Sequence, residues 1–342
     1  MLKHALLTSI AASLSMSVSA FEPLPATPPV PADNPMTAGK IELGKQLFFD
    51  PRLSLDGTVS CNSCHNVMSS GTDNRSVSVG VGGLKGGRSA PTVWNAAFLS
   101  TQFWDGRAAS LEDQAKGPIL AHVEMAMPSA DAAVARIKEI PGYVQSFKAV
   151  FGEKNSVTYD NIAKAIATYE RTLITPNSPF DRYMRGDKTA MTESAQRGMK
   201  EVESLGCTGC HSGANFSGPE LAIGDGFFQK FPMFSGSKYE KQYDLVSDLG
   251  RYNVTKQNQD KNVWRVPTWR NVGITAPYFH NGSVKTLDEA IRVMAKTQLD
   301  KTLNDKQVSD IESFLNSLTG EFPVQTMPRL PDYKNASIVK VD

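Results

Sequence analysis

The sequence is poor in cysteine and histidine, and beyond its first residues it has no long apolar run. Only four of its 342 residues are cysteine and five are histidine. No internal stretch approaches the roughly 20 apolar residues that a membrane helix needs, so stable membrane insertion is not expected. Neither sign of charge is in excess: 36 Lys and Arg stand against 35 Asp and Glu, a formal net charge of +1. Nothing global therefore points to nucleic acid or an anionic membrane. Strand-like alternation is also scarce, which leaves a mainly α expectation. Apolar content of 40% with 21% charge is ordinary for a globular chain, and the length suits about two domains of ~150 residues.

The N-terminus reads as an export signal. Lys3 and His4 precede "ALLTSIAASLSMSVSA", and Val18-Ser19-Ala20 supplies small residues before a cut at Phe21. That places the mature protein in the periplasm, where four cysteines would ordinarily suggest disulfides. Here all four fall in two C-x-x-C-H motifs, Cys61-Cys64-His65 and Cys207-Cys210-His211. Two cysteines on one turn can each form a thioether with a haem vinyl group, and the next histidine can reach the iron, so this is the spacing of c-type haem attachment. A zinc site would want a matched second ligand pair, and neither motif has one.

A similar helix precedes each motif. "TAGKIELGKQLFFD" places Ile41, Gly44, Leu47 and Phe48 on one face behind an N-cap at Thr37, and "ESAQRGMKEVESLG" follows Thr192 and stops at Gly206. Between them "YDNIAKAIATYERTLITP" is amphipathic through Ile162, Ile166, Tyr169 and Leu173, and Pro176 and Pro179 mark a break. Thr286 and Glu289 form a capping-box pattern, and a last helix carries Val308, Ile311, Leu315 and Leu318 up to Gly320. The Gly-, Pro- and Asn-rich stretches 67–95 and 212–285 read as long ordered loops. The expected organisation is a signal peptide at 1–20, a Pro-rich segment at 21–36, domains at 37–176 and 177–324, and a tail at 325–342.

Each iron has a sixth position. With His4 in the signal and His65 and His211 in the motifs, His122 and His280 remain. Methionine can also ligate haem iron and raises its potential. Met233, Met294 and Met327 lie downstream of the second motif, and Met294, ahead of the final helix, has the chain order of a simple cytochrome c.

The run "SCNSCHN", "APTVWNAAF", "QFWDGRA", "QAKGPI", "VEM", "LITPNSPFD", "GCTGCH", "VPTWRNVGITAPYFHNG" and "VMAKTQL" resembles the bacterial dihaem cytochrome c peroxidases over nearly the whole mature chain. The resemblance implies two cytochrome c-like domains, each with one covalent haem c. It makes His65 the proximal residue of a low-potential peroxidatic haem, and His211 and Met294 the axial pair of a high-potential, electron-accepting haem. Glu124 matches the family's distal acid and Gln114 a polar distal neighbour. A carboxyl group there can carry a proton from the inner to the outer peroxide oxygen. Trp104 matches a tryptophan between the haems. Thr275 and Pro277 match carbonyl donors to a calcium ion, with Ser89 where the family usually has an Asn. The implied partners are hydrogen peroxide, a small donor (a cytochrome c or a cupredoxin) and a second copy of the chain.

One position departs from the family pattern. Many members carry a histidine at the place of Val81, where it ligates the peroxidatic iron until the other haem is reduced. A valine cannot ligate, so the expectation is a site already open in the oxidised protein. Gly80, Gly82, Gly83, Gly86 and Gly87 make the same loop flexible; His122 or a water could still close the position. The competing readings are a dihaem electron carrier, a dihaem oxidase acting on a protein substrate, and a zinc module.

Overall fold

The computed structural model describes residues 21–333, so the expected signal at 1–20 and the end of the tail, 334–342, lie outside the described residues. The first half is built from α1 (Ala38–Phe49), α2 (Cys61–Cys64), α3 (Leu111–Leu120), α4 (Ala130–Lys138), α5 (Pro141–Phe151) and α6 (Tyr159–Glu170). The second contains α7 (Pro179–Met184), α8 (Glu193–Leu205), α9 (Lys238–Gln242), α10 (Tyr252–Thr255), α11 (Leu287–Leu299) and α12 (Asp305–Asn316). A two-stranded antiparallel ribbon joins β1 (Phe228–Lys230) to β2 (Val263–Arg265), with Gln229 opposite Trp264. Among the described residues no helix is long and apolar enough to cross a membrane.

Local chemistry explains the helix boundaries. Thr37 accepts from Lys40 N and Thr192 from Ala195 N, and Gly206 ends α8 at φ 92°, as expected. The box anticipated at Thr286 and Glu289 does not form. Thr286 flanks α11 without a side-chain cap, and the Glu289 carboxylate accepts from the Tyr243 hydroxyl at 2.7 Å instead. α12 has the reciprocal box that α11 lacks, between Asn304 and Gln307.

Buried apolar side chains form two main clusters. One runs from Leu43 to Leu173 around Phe48, Trp94, Tyr143, Phe147 and Tyr169. The other runs from Phe180 to Leu318 around Phe216, Trp264, Val293 and Phe314, and it also takes in Phe21. α1 crosses α6 closely enough that a Cβ on Gly44 would strike Ala165 O, and α8 meets α12 the same way at Gly198 and Asp310 O.

Both ends of the chain cross between the clusters. From Phe21 in the second, the lead passes Leu24, whose N–H donates to Asp181 Oδ1, and reaches Asn34, which bonds Glu112 and Lys164 O in the first. Asp181 also accepts from Arg270 Nη1 at 2.8 Å, an ion pair with neither side chain exposed. After Gly320 the chain returns to the first cluster: Phe322 packs edge-on against Trp94, Gln325 accepts from the Tyr169 hydroxyl, and Pro331 O accepts from Arg52.

Candidate haem and peroxide sites

Each C-x-x-C-H motif opens onto its own cavity. Cys61, Cys64, Cys207 and Cys210 are free thiols, with no disulfide between them. His65 Nδ1 lies 3.0 Å from Pro91 O, and His211 Nδ1 lies 3.1 Å from Phe216 O. In the tautomer that makes this bond, Nδ1–H donates to the carbonyl and Nε2 holds the lone pair, the usual arrangement of an oriented ligand imidazole. Burial lowers the pKa of both rings, that of His211 to about 4, so both are neutral. Trp269 stacks on His211 at 4.3 Å and fixes its plane.

The first cavity, about 370 Å³, is lined by Cys64 and His65 from one side and by Gln114, Pro118, Val123 and Glu124 from the other. α3 presents Gln114, and the turn after it presents Glu124. Burial raises the Glu124 carboxyl above the usual range, with Arg107 pulling weakly the other way. Sequence reading thus named Gln114 and Glu124 together with His65, which lies far from both in sequence, and the fold brings them to one space. His122 does not join them. It is exposed and outside the cavity lining, while its neighbours Val123 and Glu124 face in.

Val81 is 8% exposed and belongs to the first apolar cluster. Its loop is an ordered hairpin: Val79 bridges Lys85, Gly80 N donates to Leu84 O, and Val81 N donates to Glu124 O at 2.9 Å. The glycines were expected to loosen this loop. Gly82 and Gly83 do sit at positive φ, 65° and 78°, but Gly80 serves close approach, because a Cβ there would run into Val123 O and Glu124 O.

The second cavity, about 290 Å³ and mostly apolar, is lined by Cys207, Cys210, His211 and a stripe of α11. Leu287, Ala290, Ile291, Met294 and Gln298 of that stripe follow helical spacing, so Met294 faces the same space as His211. Met233 lies at the rim, half exposed, and Met327 is on the surface tail. Thr275, Pro277 and Ser89 also line this cavity, but the Ser89 hydroxyl already reaches Arg75 O and the Ser89 carbonyl accepts from Trp104 Nε1 at 2.8 Å.

The two cavities share a wall that includes Ser89, Pro91, Trp104 and Arg265. Sequence reading identified Trp104 but not Arg265. Arg265 is 5% exposed and hydrogen-bonds only neutral carbonyls, Phe103 O and Val266 O, and no carboxylate of the described residues pairs with it. Burial brings its pKa down to about 10. Asp105 raises that pKa only from a distance, without an ion pair, so the buried cation favours a paired anion, which a haem propionate reaching this wall from either cavity would supply. With two oriented imidazoles, two free thiol pairs and two cavities, the residues present fit one haem c each. His280, which lines the second cavity, stacks on Trp264 at 4.2 Å with a buried Nε2 that has no partner among the described residues, a second polar group open to a haem substituent.

Another residue escaped the sequence reading. Glu170, the last residue of α6, is 5% exposed and lines the His65 cavity. It lies four and eight residues after Ile166 and Ile162, on the buried stripe of its helix, and a charged residue in that register was the available signal.

Comparison with known proteins agrees with this geometry. The family model of di-haem cytochrome c peroxidase matches residues 38–189. The chain is 42% identical over 312 residues to the cytochrome c551 peroxidase of Pseudomonas aeruginosa, covering 91% of this chain and 87% of that one. It is 33% identical over 320 residues to the methylamine utilization protein MauG of Methylorubrum extorquens, covering 90% and 86%. A solved MauG-like protein associated with microbial copper homeostasis superposes with a TM-score of 0.74 at 27% identity, over 92% of this chain and 96% of its own. Two cavities, each opening on a C-x-x-C-H motif, and identity to characterised peroxidases over nine-tenths of the chain lead to one conclusion: this chain belongs to the di-haem cytochrome c peroxidase family and is a dihaem peroxidase.

Proposed function

We propose that this chain reduces hydrogen peroxide to water in the periplasm, using two electrons from a small exported redox protein such as a cytochrome c or a cupredoxin. The observation that carries this reading is that Glu124 and Gln114 share the His65 cavity while Val81 is buried in the apolar cluster beside it. The haems, when bound, would supply the redox chemistry that passes the donor's electrons to peroxide and cleaves its O–O bond. Cys61, Cys64 and His65 would hold one haem; Cys207, Cys210, His211 and Met294 would hold the other.

Peroxide enters the His65 cavity, where the Gln114 amide orients it by hydrogen bonding. Glu124 takes the proton of the inner oxygen and returns it to the outer one, so that water leaves. Its raised pKa suits this exchange, because a carboxyl closer to neutrality both accepts and donates readily. Electrons enter through the Met294 side, which methionine ligation would raise in potential, and pass the shared wall at Trp104. Val81 offers no ligand and its backbone N–H holds the Glu124 carbonyl, so the site is competent before any reduction.

A calcium ion between the halves would take the carbonyls of Thr275 and Pro277 with Ser89. Such a set is neutral, and calcium affinity falls with fewer charged ligands, so its binding would be weak. The two apolar clusters would be two cytochrome c-like domains meeting near Pro176, and the working unit a homodimer. Oxidation of a protein substrate, the rival suggested by the MauG relatives, is less favoured, because Met294 lines the second cavity and the hydroxyl of its lining tyrosine, Tyr278, donates to Val272 O. Peroxide turnover by haem-loaded protein with a reduced small donor tests the reading; binding of peroxide without turnover would refute it.

A further inference from the structure

The reduction of peroxide has a proton balance that Glu124 cannot close alone. Hydrogen peroxide takes up two electrons and two protons to give two waters, and its O–O bond breaks. Glu124 moves a proton from one peroxide oxygen to the other, a net transfer of none. The electrons come from the external donor. Two protons must therefore reach the His65 cavity from elsewhere in each turnover.

Glu170 is placed to supply one. Its side chain lines the cavity together with Gln114, Pro118 and Glu124, and its Oε2 is buried with no hydrogen-bond partner. Arg171 pulls its pKa down but makes no ion pair with it. Arg171 spends its guanidinium on a two-point pair with Glu112 of α3, at 2.7 and 2.9 Å, and Asn34 donates to the same carboxylate. Glu112 adds negative charge on that side, Tyr169 precedes Glu170 on α6, and the Cys61 thiol of α2 also faces it. A buried carboxyl with no ion pair and no hydrogen-bond donor favours the neutral acid.

We propose that Glu170 is a second acid of the peroxide site, which gives its carboxyl proton to oxygen in the His65 cavity during turnover and regains one from solvent. In each cycle its O–H bond breaks, and the proton goes to the oxygen that remains once the first water has left. It becomes part of the second water, whose other proton comes from solvent, and the carboxylate left behind is reprotonated before the next peroxide. Glu170 lines the same space as Gln114 and Glu124. Burial lifts its pKa to about 8, so the acid form persists at neutral pH.

The proposal rests on the peroxidase reading, and the test separates the two. Steady-state peroxide turnover is measured against pH for haem-loaded protein and for Glu170→Gln, which keeps shape and burial but carries no acidic proton. The parent's kcat should fall through a single ionisation near pH 8 as the acid form is lost. Glu170→Gln should lose that step and run about tenfold or more slower at neutral pH, with the rate of peroxide binding unchanged. A variant whose kcat drops equally at every pH, with the ionisation intact, would make Glu170 structural and overturn the proposal. So would superimposable profiles. If the variant fails to fold, the parent alone decides, since turnover with no ionisation between about pH 7 and 9 overturns the role of Glu170. A loaded parent that turns over no peroxide overturns the peroxidase reading as well.

Discussion

The contact between the Val81 loop and the Glu124 turn should be needed for activity, and Gly80→Ala isolates it. Gly80 has φ −98° and ψ −161°, which alanine adopts without strain, so the backbone conformation itself costs nothing. The added methyl group, however, would overlap Val123 O and lie 2.5 Å from Glu124 O and 2.7 Å from Glu124 Cα. These are backbone atoms that cannot swing away, so the two segments must part by ~1 Å. Parting them stretches the Val81 N to Glu124 O bond, worth ~1 kcal/mol. It also lifts part of Val81 from the core, and overpacking of this kind costs ~1–3 kcal/mol in total. The larger consequence is catalytic, because a displacement of that size at a positioned acid can lower the rate by ~10². Gly39→Ala, on α1 and away from both cavities, is the control: its added Cβ meets only Val150, at an ordinary 3.4 Å. Peroxide kcat/KM, haem content and thermal unfolding would be compared for both. Gly80→Ala with the parent's kcat/KM would refute the idea that this contact positions Glu124.

Glu124→Gln keeps the shape of the distal side chain but removes the titrating group, and should lower peroxide turnover by ~10²–10⁴ with haem incorporation intact, read by single-turnover kinetics. Arg265→Met removes the unpaired cation from the wall shared by the two cavities; without it the oxidised haems are stabilised, so both midpoint potentials should fall in a spectroelectrochemical titration. Met294→Ala should abolish the methionine-to-iron charge-transfer band and leave the His65 haem spectrum unchanged. Asp181→Ala strands Arg270, whose pair is fully buried, and frees Leu24 N; a loss of ~3–5 kcal/mol in denaturant unfolding is expected.

The parts of this account that were legible in the sequence are those that depend on short-range spacing. The C-x-x-C-H motifs, the caps at Thr37 and Thr192 and the Gly206 stop need only a few consecutive residues, and all appear at those positions. The Thr286–Glu289 box failed because a distant residue, Tyr243, competes for the carboxylate, and no local pattern encodes that competitor. Helices α3 to α5 were not anticipated; α3 contains Gly117 and Pro118, and α4 and α5 present only short apolar stripes. Arg265 looks like an ordinary surface charge in sequence, and only the cavities reveal it as buried; Glu170 shares the register of Ile162 and Ile166, a signal that shows burial but not the cavity it faces. The crossing of both chain ends between the two clusters, through Phe21 at one end and Phe322 at the other, is a long-range event without a local signature. Val81 was legible as a departure from a family pattern, whereas its burial and its bond to Glu124 O required the fold.

The central claim is that the His65 cavity is open to peroxide before any electron arrives. The most direct test mixes peroxide with haem-loaded protein prepared fully oxidised and prepared half-reduced, with donor present, and follows turnover from the first cycle. Equal rates without a lag are expected from both preparations. A lag or silence from the oxidised protein alone would mean that another group closes the site and that Val81 has not removed the need for reductive activation.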